Sequence, residues 1–119
     1  LTAARRASDN GFPVAFHIDP MLCVENWKNL YSELVEEITG RFRPKEIKWI
    51  SVGALRYPPE MKHILRERFG AQTIALTEEL FLSNDGKLRY DQRLRTTMFN
   101  HVISEFQKRD KNYPVFLCM

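Results

Sequence analysis

The stretch "PVAFHIDPM", Pro13 to Met21, decides how the chain is read. It opens as an apolar run suited to a buried strand and ends in His17 and Asp19, just before Pro20. Alternation with Phe16 and Ile18 puts His17 and Asp19 on one face. A strand built for burial that ends in an imidazole and a carboxylate has the look of a parallel strand reaching a functional rim. Open α/β sheets and (β/α) barrels bind their ligands at the carboxyl ends of their strands.

Working outward, "LTAARRASDNG" before this strand reads as a helix stopped by Asn10-Gly11. After it, Trp27, Leu30, Tyr31, Leu34, Val35 and Ile38 recur at spacings of three and four, which predicts an amphipathic helix ending at Gly40. "EIKWISVGAL" reads as a second strand, "RYPPEMKHILRERFG" as a helix started by Pro58 and Pro59 and stopped by Gly70, and "QTIALT" as a third strand. Asp85-Gly86 between "ELFLS" and "KLRY" predicts a hairpin. The longest helix follows, with Leu94, Met98, Val102 and Phe106 on one face, and "NYPVFLCM" is a fourth strand. The expected fold class is therefore α/β: a partial (β/α) barrel of about four parallel strands with intervening helices and a hairpin-like insertion. Four strands cannot close a barrel, and both ends read as interrupted elements. Residues 1–119 are thus expected to be a single domain, the carboxyl-terminal half of a longer (β/α) barrel enzyme.

Composition agrees with a soluble-type domain of 119 residues, 44% apolar and 28% charged. The net charge of +3 permits nucleic-acid contact without arguing for it, because Lys and Arg are spread along the chain. No apolar run approaches the roughly 20 residues of a membrane span, so no membrane partner is expected. Two cysteines, Cys23 and Cys118, fit a reducing compartment, and the cytoplasm is the expected location; a single disulfide stays open.

At the strand ends, His17 and Asp19 read either as ligand-side groups or as a core hydrogen-bonder and a turn cap. Arg56 reads as a fork for phosphate or carboxylate, or as a surface residue before a helix. Ser51 and Gly53 either allow a ligand close to the backbone or pack. Lys87, Arg89, Tyr90 and Arg93, with Arg95, form the densest basic cluster and hold an aromatic ring. That suits phosphate contact and base stacking as well as it suits a solvated surface. Cys23 and Cys118 read as packed thiols, since neither has a base near it in sequence. There is no Walker loop, GxGxxG, HExxH or Cys-pair motif. A metal held by these residues is not expected, since His63 and His101 lie mid-helix and no third ligand joins His17 and Asp19.

"GFPVAFHIDPM", "ENW", "ISVGALRYPPEMKHILRERF", "DGKLRY" and "YPVFLCM" together resemble the carboxyl-terminal part of spore photoproduct lyase-like proteins. These are radical S-adenosylmethionine enzymes often labelled DNA repair photolyases. The resemblance implies a partial barrel that carries a [4Fe–4S] cluster on a CxxxCxxC motif. S-adenosylmethionine on the open iron yields a 5′-deoxyadenosyl radical, and in the lyase the substrate is a thymine-dimer lesion in DNA. It implies that His17, Asp19 and Pro20 lie beside the adenosine part of the cofactor and that Ser51, Gly53 and Arg56 face the same cavity. It also implies that Lys87, Arg89 and Tyr90 lie toward DNA. Cys23 and Cys118 cannot supply the cluster motif, so the fragment alone is expected to be inactive and, with open sheet edges, to self-associate. A nucleic-acid-binding module without chemistry and a half-barrel of an unrelated hydrolase using His17 and Asp19 are the alternatives.

Overall fold

The computed structural model describes residues 1–118. Helix α1 (Thr2–Asp9) leads to strand β1 (Val14–Met21), helix α2 (Trp27–Arg41), a 3-10 turn (Pro44–Glu46) and strand β2 (Ile47–Ala54). Then come β3 (Arg56–Tyr57), α3 (Met61–Phe69), α4 (Ile74–Thr77), β4 (Phe81–Leu82), β5 (Leu88–Arg89), α5 (Gln92–Arg109) and β6 (Val115–Leu117). Met119, assigned from sequence to the last strand, lies outside the described residues.

The main sheet is parallel, in the order β1-β2-β6. Among the described residues it thus has three parallel strands rather than four, because the expected third strand is not one. Residues 74–77 form a short helix entered from an extended Thr73. "TIAL" is too short for its period to separate strand from helix, and Ile74 is 44% exposed, so no sheet position holds it. The hairpin is present: β4 and β5 pair antiparallel around a turn whose Gly86 has φ +86°, a conformation that glycine adopts without a steric penalty. A strand not expected from sequence, β3, pairs with β5 and ties the hairpin to the end of β2.

Two helix ends also differ from expectation. Helix α2 runs through Gly40 to Arg41 and stops where Phe42 turns extended and buries its ring against Phe16, with centroids 5.2 Å apart. Pro58 and Pro59 precede α3, with Glu60 at its N-cap.

The core lies on one side of the sheet. Ile18, Ile50, Val52 and Ala54 meet Val35 and Ile38 of α2 and Met98, Val102 and Phe106 of α5, all buried. The expected faces of α2 and α5 are thus the packed ones, although Leu30 is half exposed. Register places Ala15, His17, Trp49, Ser51 and Phe116 on the other side. There Trp49 is 41% and Phe116 59% exposed, so this face is open. The radius of gyration, 16.0 Å, exceeds the roughly 13.5 Å of a compact domain of this length, as an uncovered sheet requires.

Candidate functional site at the carboxyl ends of the strands

The parallel register brings the carboxyl ends of β1, β2 and β6 side by side, and one side chain joins all three. Arg56 Nη1 donates to Asp19 Oδ1 at 3.0 Å and to the carbonyl of Ala54 at 3.0 Å. Its Nη2 donates to Asp19 Oδ2 at 3.2 Å and lies 3.5 Å from Cys118 Sγ. The four terminal N–H bonds of the guanidinium are therefore committed, and only Nε–H is left. Asp19 stands at the end of β1, Ala54 at the end of β2 and Cys118 just past β6. The Asp19 hydrogen bond is the leading cause that raises the Arg56 pKa above its ordinary value.

Gly53 explains why the fork can form. A Cβ there would stand 2.7 Å from Asp19 Cγ and Oδ2 and 2.9 Å from Oδ1. The close approach anticipated at Gly53 is thus made by Asp19's own carboxylate. Gly53 has no positive φ, so the requirement is steric.

One register step toward the middle of the sheet, His17 is paired with Ser51, and His17 Nδ1 shares a 2.6 Å hydrogen bond with Ser51 Oγ. His17 is exposed on the open face, and among the described residues its Nε2 has no partner. This leaves one imidazole nitrogen presented to whatever occupies that face. Pro20 is exposed beside the fork.

The basic cluster divides. The period-two alternation of β5 turns Leu88 and Tyr90 inward. Tyr90 is 2% exposed, and its hydroxyl accepts from the backbone N–H of Cys23 at 3.0 Å. Burial pushes its phenol well above the ordinary range. Its ring is a core element and is not offered for base stacking, which corrects the sequence expectation for this residue. Arg89 is ion-paired with Asp85 at 2.6 Å, and that contact holds the Asp85 carboxyl far below its usual range. Lys87 and Arg93 enter none of the ion pairs among the described residues; Arg93 is exposed in the first turn of α5, and Lys87 is half-buried. Lys87 also lines a cleft of about 410 Å³ together with Asp19, Pro20, Arg56 and Tyr57, so the hairpin and the strand ends share one concavity.

Among the described residues no group of three or more His, Cys, Asp and Glu side chains could hold a metal ion. Cys23 and Cys118 are both free thiols, and burial raises the Cys23 pKa. Cys118 is more than the packed thiol its sequence context suggests, because it is the third member of the strand-end junction. Its contact with Arg56 spans 62 positions, and no local pattern announces it.

Over 98% of its length the chain superposes on solved structures of spore photoproduct lyase. A variant of that enzyme with bound AdoMet and dinucleoside spore photoproduct matches with a TM-score of 0.81 at 16% identity. A second variant matches at 0.82 and 17%, and the enzyme complexed with the dinucleoside matches at 0.78 and 17%. The fold is that of spore photoproduct lyase. The chain spans 37% of the length of those lyase chains, so it corresponds to a part of that fold. No family profile and no curated protein matches the sequence.

Proposed function

We propose that the chain is the carboxyl-terminal half of a radical S-adenosylmethionine lyase-like DNA repair enzyme, in which the open sheet face lines the cofactor cavity and the hairpin side turns toward DNA. The observation that carries the reading is the gathering of His17, Ser51, Asp19, Arg56 and Lys87 at the carboxyl ends of the parallel strands and the adjoining hairpin. In spore photoproduct lyase, whose fold the chain shares, AdoMet and the dinucleoside lesion have been seen bound.

The residues present bear differently on the two cofactors. A thiolate-held cluster needs its full ligand set, and Cys23 and Cys118 are two. The described residues do not fit the cluster, and its ligands have to come from outside them. The open face fits S-adenosylmethionine better. His17 Nε2 is available to hydrogen-bond a bound nucleoside, and the exposed ring of Phe116 lies in register beside Ser51. Gly53 and Asp19 act one step back by fixing the strand ends. In the family the chain resembles, the bound cofactor supplies a radical that takes a hydrogen from substrate, and reversal of a thymine-dimer lesion is the reaction proposed for the whole protein. This chain's own share is to bind and orient, with Lys87 and Arg93 as the phosphate contacts. Two free thiols suit the reducing cytoplasm.

The test is the coding sequence upstream of Leu1, followed by anaerobic reconstitution of its product. Three close-spaced cysteines in CxxxCxxC and a stoichiometric cluster are expected. A complete open reading frame without that motif would refute the reading.

A further inference from the structure

At the amino ends of the strands, opposite the candidate site, the segment 41–48 (RFRPKEIK) carries four cations and one acid. The acid is claimed from inside the fold. Glu46 accepts from the Arg5 guanidinium and from the backbone N–H of Arg43 at 2.9 Å, and the Arg43 charge also acts on it. Lys45 and Lys48 are both exposed, and neither forms an ion pair or a side-chain hydrogen bond among the described residues. With Arg43, Ile47 and Pro114 they line a concavity of about 520 Å³. The one carboxylate among its lining residues, Asp110, accepts from the backbone N–H of Asn112 at 2.8 Å.

This concavity runs along an unfilled sheet edge. Strand β2 has eight residues, but β6 pairs only with Ile50, Ser51 and Val52. The carbonyl of Pro114 still accepts from the Ile50 N–H at 2.8 Å. Before Pro114 the chain leaves the line of the sheet. A tight turn joins the Val115 N–H to the Tyr113 carbonyl at 3.0 Å, and the buried Tyr113 donates its hydroxyl to the Phe42 carbonyl at 2.6 Å. Among the described residues no strand therefore flanks Ile47–Trp49 on the β6 side. That gap is three residues long, roughly 10 Å at the rise of a strand. On the β1 side the register passes from Val14–Ile47 to Ala15–Trp49 and skips Lys48, which is thus the extra residue of a bulge. A bulge re-aims side chains. Lys48 and Trp49 are accordingly both exposed, where strict alternation would bury one.

An open edge offers backbone donors and acceptors together. An added strand satisfies both, whereas a phosphate, which only accepts, does not. Lysines on such an edge discourage apolar or basic strands, and lysines without internal acids favour a segment of opposite charge. We propose that this edge is an interaction surface that takes an extended acidic segment of a partner protein as an added strand beside Ile47–Trp49, with the segment's carboxylates on Lys45 and Lys48. The surface uses no residue from the carboxyl ends of the strands, so the inference is independent of the radical chemistry proposed above.

The experiment is fluorescence anisotropy of the full-length protein at low salt with the labelled peptide Glu-Val-Glu-Val-Glu-Val. Two control peptides separate charge from backbone. One carries Gln in place of Glu, and the other is N-methylated throughout, which keeps the charge and removes every backbone donor. The acidic peptide should bind at least tenfold more tightly than the Gln peptide and at least fivefold more tightly than the N-methylated one. The double variant Lys45→Gln/Lys48→Gln should reduce its affinity at least tenfold, to the level of the Gln peptide, while Lys45→Arg/Lys48→Arg retains it. Equal binding of the N-methylated peptide, or of tripolyphosphate, would overturn the proposal by reducing the surface to a general anion patch. Unchanged affinity in the Gln double variant, or equal losses in the two double variants, would remove the lysine charges from the account. No binding of the acidic peptide by the full-length protein would show that the edge is not open to a partner.

Discussion

Replacing Gly53 by alanine should break the strand-end junction at its tightest point. The new Cβ would meet three atoms of the Asp19 carboxyl at 2.7–2.9 Å, inside any real contact distance. That carboxyl is not a free tip, because both oxygens are held by Arg56. Asp19 must therefore leave the fork or the strands must part. Overpacking of this kind costs about 1–3 kcal/mol, and loss of a charge-assisted pair adds about 1.5–3 kcal/mol when fully buried. Asp19 and Arg56 are about one-fifth exposed, so the second figure is discounted for solvent screening. A net destabilisation of about 2 kcal/mol is expected, or roughly 8 °C in Tm for a domain of this size. Urea denaturation of Gly53→Ala, Asp19→Ala and the double variant isolates the cause. Once Asp19 is truncated the space is free, and Gly53→Ala should become neutral or slightly stabilising through its effect on the unfolded chain. The two changes should couple by at least about 1 kcal/mol. An equal cost of Gly53→Ala in both backgrounds would refute the steric argument.

Further outcomes follow from the same structure. Glu46 accepts a hydrogen bond from Arg5 and from the Arg43 backbone, and its pKa falls to about 2. A depressed carboxyl pKa contributes stability that is present above the unfolded value and lost as pH falls through the folded one. Parent and Glu46→Gln should therefore converge in stability between about pH 4.5 and 2, and parallel curves would remove this pair from the account. Removing one cation that neutralises a phosphate lowers the log–log salt slope of duplex binding by about 0.9. Lys87→Ala and Arg93→Ala should each do so, while Arg89→Ala, which only frees Asp85, should lower the slope less; an unchanged slope for all three would make the cluster a solvated surface. The open face and the edge strands β1 and β6 invite pairing with a second copy. Light scattering of residues 1–119 should give a mass that rises with concentration, and a constant 14.1 kDa would exclude self-association.

Much of the fold is legible in the sequence because it is written in local periods. The α2 and α5 stripes, the β1 and β2 runs and the Asp85-Gly86 turn each repeat or break within a few residues. What stays hidden is decided at long range. "TIAL" carries apolar residues but no partner strand, and only tertiary placement makes it a helix. Gly40 reads as a stop, yet burial of Phe42 sets the end of α2. Tyr90 has basic neighbours that suggest a stacking ring. The signal that it belongs to the core, alternation with Leu88 across Arg89, is present but is outweighed by charge. Sequence offers Asp19, Gly53 and Arg56 individually, each as a ligand-side group or as a cap, a packed glycine or a surface arginine. That they also contact one another is a property of parallel register, which no single segment encodes.

The open face of this sheet is proposed to lie against S-adenosylmethionine in the full-length protein. That placement is tested most directly by photo-cross-linking an azido-adenosine analogue of that cofactor to the anaerobically reconstituted full-length protein and mapping the adduct by mass spectrometry. Label displaced by unmodified S-adenosylmethionine is expected on the peptides that carry His17–Pro20 or Ser51–Arg56. Displaceable label confined to the helix-covered side of the sheet, such as Val35–Ile38 or Met98–Phe106, would contradict it.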